Sequence, residues 1–551
     1  MKKTTLPYIF LILISLLGAA GVFKFRLDLT ADRRYTLSDT SENILTQIKH
    51  PLRFEVYLEG DFPANFKQLQ SETKFMLEEF RRINPNISFK FTDPVKNKMS
   101  KDTLMAMGMQ PSVLPDVRDG RISQIVLFPY AVAKYEGRGI SVPLISQQQN
   151  VNADEQLNRS IENLEYSLIS AIKNVMQTER KNIGILVNHD ELRPDEFQGF
   201  MEMATENYNA FPIIPKNLQE LTLEDFPNLS RTQALVIAKP RKAFSDDEKL
   251  LLDQYIMKGG KTLWMLDAVN AEMDTLMRSN KMVAMPIDLN LGDFFFNYGL
   301  RINPSLVKDF KKFALLRLVT GEISGNPQYM SLPWPYFTLG IDEANHPITR
   351  NINPVKFEFP TSIDTLARPG IKTKVLYESS DRTTLKQVPN FVDLKEIASV
   401  DSLGMNEKAS TPKIYAVALE GQFPSAYATR MQRNTFPNFS AQSPENKMIV
   451  IADGDVGRNK LLRGEALPLG MDVLTNEHFG NEQFLRNALD WLLDDANLID
   501  LRNRNIEARL LDRGRISEER AFWQWLNLLL PLFVIGIFGA SLFYFRRKFS
   551  R

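Results

Sequence analysis

The sequence predicts an α/β protein held between two membrane-spanning ends. Three observations carry the prediction: apolar stretches at residues 6–23 and 522–545, a β, α, β, α, β, β order across 24–150, and alternating strands and helices across 182–497. At 551 residues the chain exceeds what one hydrophobic core can hold, so about two to four domains is the natural division.

Residues 1–23 form the N-terminal anchor. "LPYIFLILISLLGAAGVF" carries no charge, is just long enough to cross a bilayer as a helix, and follows Lys2 and Lys3. The small residues "GAAG" at 18–21 leave a cleaved secretory signal as the alternative, but the apolar run continues into Val22 and Phe23, which favours an uncleaved anchor.

Residues 24–150 read as a thioredoxin-like layer. Ser38 caps a helix carrying Ile44, Leu45 and Ile48, Pro51 breaks it, and "LRFEVYL" alternates as a strand. A helix over 65–82, the strand "ISFKF", a Met-rich helix near 100–108 and strands in "SQIVLFPYAVAKY" and "RGISVPLI" complete the order. Cysteine is absent from the chain, so such a layer has no CxxC and is a scaffold; disulfides, thiolate metal sites and cysteine nucleophiles are excluded with it. The methionines of "LMAMGM" read as core filler.

Residues 151–181 link the domains. Leu157, Ile161, Leu164, Leu168, Ile172 and Val175 recur at helical spacing and predict one amphipathic helix over 153–177, packed on its own domain or against the same helix of a second copy, a route to self-association.

Residues 182–497 predict a doubly wound α/β sheet. "NIGILVN" and "ALVIAKP" are strands, and "FSDDEKLLLDQYIMKGGKTLWMLD" adds a helix, with a Ser245/Glu248 capping box and a Gly259–Gly260 stop, and a returning strand, closing a compact βαβ unit. "KIYAVAL" and "MIVIADGDV" add strands and "NEQFLRNALDWLLDD" a closing helix, while 370–412, rich in Ser, Thr, Lys, Asp and Pro, reads as an exposed excursion. Residues 498–521 read as a charged stalk, 522–545 as the second transmembrane helix flanked by Trp523 and Trp525, and 546–551 as a basic cytoplasmic tail. Positive charge at both outer flanks puts both termini in the cytoplasm and the large middle outside, in contact with membrane lipid only through its anchors.

The net charge of +1 argues against nucleic acid as a partner. Neither GxGxxG nor GxxxxGK[ST] occurs, so the chain has no nucleotide cradle of its own. His50, His189, His346 and His478 are too scattered for a short metal motif, so no metal or other cofactor is expected.

The candidate site is the edge where buried strands end on polar residues. "MIVIADGDV" reads as a central strand running into Asp453 and Asp455, and "HDE" follows another, placing His189 and Asp190 within reach of the same crevice. A histidine with a carboxylate can serve a nucleophile as base, which keeps a hydrolase or glycan-modifying enzyme as the alternative, yet no GxSxG elbow accompanies them. "DGDVGRN" at 453–459 fails as a calcium loop, because Gly457, Arg458 and Gly464 stand where a ligand, the turn glycine and the final acid belong.

"DLTADRRYTLSDTSENIL", "FSDDEKLLLDQYIMKGGKTLWMLD", "LGDFFFNYGLRINPSLVKD", "IYAVALEGQFPSAYATR" and "IVIADGDV" resemble the GldG family of gliding-motility-associated ABC transporter components, over nearly the whole chain. The resemblance implies a thioredoxin-like domain followed by a glutamine-amidotransferase-like α/β domain outside a bacterial inner membrane, in the periplasm. It implies as partners a GldF-like ABC permease subunit and a GldA-like cytoplasmic ATPase. A working amidotransferase of that fold needs a nucleophilic cysteine, so no catalytic residue transfers to this chain, and His189, Asp190, Asp453 and Asp455 stand as binding or turn groups. A non-catalytic transporter subunit is the leading expectation, beside the enzyme and a structural scaffold of motility or secretion machinery.

Overall fold

The computed structural model describes residues 36–503 and 513–549, apart from 61–63, 95, 98, 119–120, 146–152, 178, 217–220, 324–325, 400–408, 431–435, 473–474, 476 and 495–497. The chain is a mixed α/β protein that divides into two compact units, Met1–Arg504 and Asn505–Arg551. The first expected membrane span, 6–23, lies outside the described residues.

The first unit opens with α1 (Asp39–Thr46), whose cap is Ser38: its hydroxyl accepts the Ser41 N–H at 3.1 Å, satisfying a helix-end donor. In β1 (Leu52–Val56), Leu52, Phe54 and Val56 are buried while Arg53 faces out, the alternation of a strand with one covered face. The helix α2 (Ala64–Ile83) lays Phe66, Leu69, Leu77 and Phe80 into that core. Next, β2 (Ile87–Phe91) pairs parallel with β1, and β3 (Tyr130–Tyr135) and β4 (Arg138–Pro143) follow antiparallel, giving the order β2-β1-β3-β4. In the Met-rich stretch, Met109 is buried as expected of core filler, but Met105 and Met107 are exposed.

The linking helix is two helices, α3 (Ala153–Glu162) and α4 (Leu164–Met176). Asn163, a weak helix former, interrupts them with ψ near −2°. Leu164, Leu168, Ile169, Ile172 and Val175 enter the first core, and Tyr166 packs against both this core and the next.

A large sheet forms the second body. Its strands are β5 (Asn182–Leu186), β6 (Asn209–Ile213), β7 (Ala234–Ala238), β8 (Lys261–Met265), β9 (Leu300–Asp309), β10 (Thr361–Thr365), β11 (Ile371–Glu378), β12 (Thr383–Gln387), β13 (Ile414–Pro424) and β14 (Gln442–Ile451). Five run parallel in the order β6-β5-β7-β8-β14, which reads 2-1-3-4-5 in chain sequence; β13, β10, β9 and β12 extend it antiparallel, with β11 on β13. Met448 to Ala452 are fully buried, as a strand covered on both faces requires. Helices α5 (Gln198–Asn207), α6 (Asp246–Met257), α7 (Gly292–Asn297) and α8 (Asn481–Leu493) pack into the same core. The Ser245/Glu248 capping box of α6 is present, and Gly259, at φ +90°, supplies the left-handed turn that ends it.

Two expectations change here. Residues 370–412 do not form a loose excursion: β11 and β12 join the main sheet, and Leu376, Tyr377, Ser379 and Ser380 are buried. Only two of the eight residues of β11 and one of the five of β12 are buried, so their sequences stay polar. Nor is 498–521 a stalk throughout, since Leu498 and Leu501 enter the first core, Ile499 enters the second, and a helix is already running from Arg513.

The second unit is α9 (Arg513–Phe549). Its window Glu519–Ile537 has mean hydropathy 1.3 and no buried surface, the one helix among the described residues long and apolar enough to cross a membrane.

Candidate functional site

In open parallel sheets, ligands occupy the crevice beyond the carboxyl ends of the strands, at the point where strand order reverses. With the order 2-1-3-4-5 that point lies between β5 and β7. The chain places His189 just after β5, Lys239 directly after β7, Asp267 after β8, and Asp453 and Asp455 after β14.

Lys239 is the centre of this edge. It adopts a left-handed backbone conformation, φ +56°, and its N–H donates to the Met265 carbonyl at 2.8 Å. Its side chain is 2% exposed, with Nζ 2.6 Å from Asp455, 3.0 Å from Glu272 and 3.2 Å from Asp267. Burial would lower its pKa, but Asp267, Asp455 and Glu272 outweigh burial and raise it, so the ammonium is held charged. A Cβ at Gly454 would fall 2.5 Å from Lys239 Cγ, so the loop after β14 approaches this lysine as only glycine allows.

Asp453 is fully buried and ties loops together: it accepts the Glu358 N–H at 2.6 Å and the Asp455 N–H at 2.7 Å. Burial first, then the charges of Asp455 and Asp267, drive its pKa well above the ordinary range. Burial also pushes Asp267 upward, against the pull of Lys239. For Asp455, burial is overcome by Lys239 and Arg458, and the pKa falls. Arg458 spans the outer side, 2.7 Å from Glu196, 2.9 Å from Glu272 and 3.3 Å from Asp455. A second ladder, Asp472–Lys356–Glu358–Lys460, adjoins it through contacts of 2.6, 3.1 and 2.7 Å.

His189 belongs to a different cluster. Its Nε2 is 3.1 Å from Glu248 and its Nδ1 3.6 Å from Glu191, and its ring stacks on Phe244 at 3.7 Å. Burial opposes the charged ring, but Glu191 and Glu248 prevail and raise its pKa. Glu248 is also the capping-box acid of α6, so the histidine is locked to a helix terminus. Asp190 is exposed with φ +58°, and its carbonyl accepts from Arg241 at 3.1 Å.

All four residues singled out from the sequence follow strands at this carboxyl edge, but the structure gives His189 and the two acids of the β14 loop separate sets of partners. No hydroxyl partners either ring nitrogen of His189 among the described residues, so a histidine-activated nucleophile is not assembled. Nor do the described residues contain a group of three or more His, Asp or Glu arranged to hold a metal. The residues that sequence reading missed are Lys239, Asp267, Glu272 and Arg458. A signal existed for two of them: "ALVIAKP" and "KTLWMLD" each run from buried apolar strand straight into a charge.

Beside Asp267 lies a cavity of about 320 Å³, walled by Leu266, Pro286, Ile287, Leu289 and Phe295. Its size and apolar lining suit a small ligand or a partner side chain.

A family model described as ABC-type uncharacterized transport system matches residues 180–488, from just before β5 into α8. A second, described as a domain of unknown function (DUF7088), matches residues 31–134. The search of curated proteins finds no match. Among solved structures, the chain is similar to the mmIFT52 N-terminal domain at 14% identity and a TM-score of 0.31, covering 57% of this chain and 97% of that one. It is also similar to a putative ThuA-like protein from Parabacteroides merdae at 10% identity and a TM-score of 0.24, covering 57% and 90%. At these scores neither likeness bears on function.

Proposed function

The chain belongs to the ABC-type uncharacterized transport system family, and from that premise we propose that it is a non-catalytic, membrane-anchored subunit of an ABC transporter associated with gliding motility. Its body lies in the periplasm, between an N-terminal anchor and α9, and both termini are cytoplasmic. There it binds a partner or substrate and passes on the movement of a permease driven by a separate ATPase. Its partners are a GldF-like permease and a GldA-like ATPase, and its two bodies are a thioredoxin-like scaffold and a glutamine-amidotransferase-like sheet without the catalytic cysteine.

The observation that carries this reading is the state of the carboxyl edge. An enzyme of this architecture keeps charged groups there reachable by substrate, whereas here Lys239 is 2% and Asp453 0% exposed, the ammonium spent on Asp455, Glu272 and Asp267 and the carboxylate on loop backbone. Such a network pins the β7, β8 and β14 loops into one rigid rim, and a rigid rim suits recognition and force transfer.

The test is extraction in mild detergent and capture of the tagged full chain. A permease and an ATPase in the eluate are the expected result; the chain alone, under conditions that keep other ABC complexes intact, would refute the assignment. The rival enzyme is separated by the near-isosteric changes H189Q, D453N and D455N. Loss of function in folded, complex-forming protein would restore it.

A further inference from the structure

A second concavity, an open groove of about 660 Å³, borders α7. Arg301 of β9, Arg368 of the β10–β11 loop and Arg430 beyond β13 line it, with Phe296 of α7 as an apolar wall. The Arg368 guanidinium lies 5.0 Å above the Phe296 ring and donates to the Phe296 carbonyl at 2.8 Å, while its buried Nε–H meets no acceptor among the described residues. Arg430 is held 3.0 Å from Asp293, a carboxylate already shared with Lys249 at 3.2 Å. The Arg301 side chain is exposed and makes no hydrogen bond or ion pair among the described residues, with Asp364 opposite it on β10. Phe296 is 50% exposed, and Leu366, whose N–H donates to Gly299 at the end of α7, is 42% exposed.

We propose that this groove binds an acidic peptide segment of a partner protein, carboxylates engaging the arginines and apolar side chains covering Phe296 and Leu366. Three guanidiniums share one lining carboxylate, Asp293. Lys249 also draws on Asp293 but is paired with Asp246 at 2.9 Å, and Asp364, opposite Arg301 on β10, is engaged by Asn303 at 3.0 Å, so one positive charge stays in excess. Guanidiniums match carboxylates through paired N–H bonds, and Arg368 is already oriented by its ring and carbonyl contacts, so little side-chain freedom is lost on binding. A small free anion would leave the aromatic wall uncovered, and a lipid surface is told apart by the vesicle arm of the experiment. A chain alternating acids with apolar residues satisfies both halves of the lining. This inference rests on the partner-binding role proposed above and assigns it a surface.

The probe is a fluorescein-labelled octapeptide alternating Glu or Asp with Phe or Leu, titrated by anisotropy into the detergent-solubilised full chain, beside its Gln/Asn counterpart. Saturable binding of the acidic peptide, about tenfold stronger than the neutral one and weakened by salt, is expected. R301E should weaken it by about tenfold or more; because Glu would then stand opposite Asp364, R301Q, which adds no like-charge pair, is the variant expected to weaken binding at unchanged thermal midpoint, and R231E, on an exposed turn before β7, should leave binding unchanged. Equal binding of both peptides, indifference to R301E, or R301E-sensitive binding of phosphatidylglycerol vesicles without peptide binding would each overturn the proposal. Capture of permease and ATPase is scored on the same wild-type preparation. Capture without peptide binding sinks the groove alone, and peptide binding without capture sinks the transporter reading alone.

Discussion

Replacing Lys239 with Met tests the rim most directly. Methionine fills nearly the same buried volume, so the loss is electrostatic: Asp455, Glu272 and Asp267 lose an ammonium at 2.6, 3.0 and 3.2 Å. Arg458 still reaches Glu272 and Asp455, but among the described residues Asp267 retains only the Gly454 N–H, at 2.6 Å. Removing one partner from a buried ion cluster costs about 3–5 kcal/mol, because the remaining charge is stranded without water. Urea unfolding of the detergent-solubilised full chain, followed by near-ultraviolet circular dichroism, measures it. The sign with pH follows from Asp455, whose depressed pKa gives wild type a contribution present above the unfolded value and lost as pH falls through the folded one. In K239M the acids titrate higher, so protonation relieves the defect and the gap between the proteins narrows from pH 7 to pH 5. A gap below about 1 kcal/mol at pH 7, or one that widens on acidification, would refute the reasoning.

Two histidines should respond to pH with opposite sign. Burial, with Lys374 and Lys447, holds His346 down at about 4, so its contribution is full above the unfolded value near 6.5 and is lost as pH falls toward 4, by at most about 3 kcal/mol. His189 is raised, so its contribution is full below about 6.5 and is lost as pH rises through its folded value; H346Q and H189Q should each flatten one limb of the stability–pH curve. Gly454→Ala, forcing a methyl against the Lys239 stem, should cost about 1–3 kcal/mol in the same urea titration, and no loss would mean the loop can yield. D490A removes the acceptor of the Tyr208 and Tyr166 hydroxyls, at 2.7 and 3.3 Å, and should cost about 1–3 kcal/mol and separate the melting of the two cores in calorimetry.

Periodicity reported the local elements well. The run Met448–Ala452 is buried as its five apolar residues require, and the Ser245 cap and Gly259 stop of α6 are where side-chain chemistry puts them. Position along the chain also put Asp453 and Asp455 at a strand end. What one-dimensional pattern does not carry is the identity of the partners: Lys239 lies 216 residues from Asp455, and nothing in "ALVIAKP" says which acids it will meet. The His189–Asp453 pairing fails for a related reason, because Glu248 is read as a capping acid and its second engagement, with a histidine, is invisible in the capping pattern. The strands β11 and β12 escape notice because strands with so few buried residues keep polar compositions.

The short turn over residues 498–503 inserts Leu498 and Leu501 into one core and Ile499 into the other, in the last described stretch before the tail begins. It works as a rivet through two plates. Any pull travelling up the chain from the C-terminal side loads both plates at once, and neither peels away until three buried aliphatic side chains are drawn into water. A subunit coupled to a moving neighbour through that end would therefore load both cores together, the resistance shared between these aliphatic side chains and the tyrosine hydroxyls on Asp490.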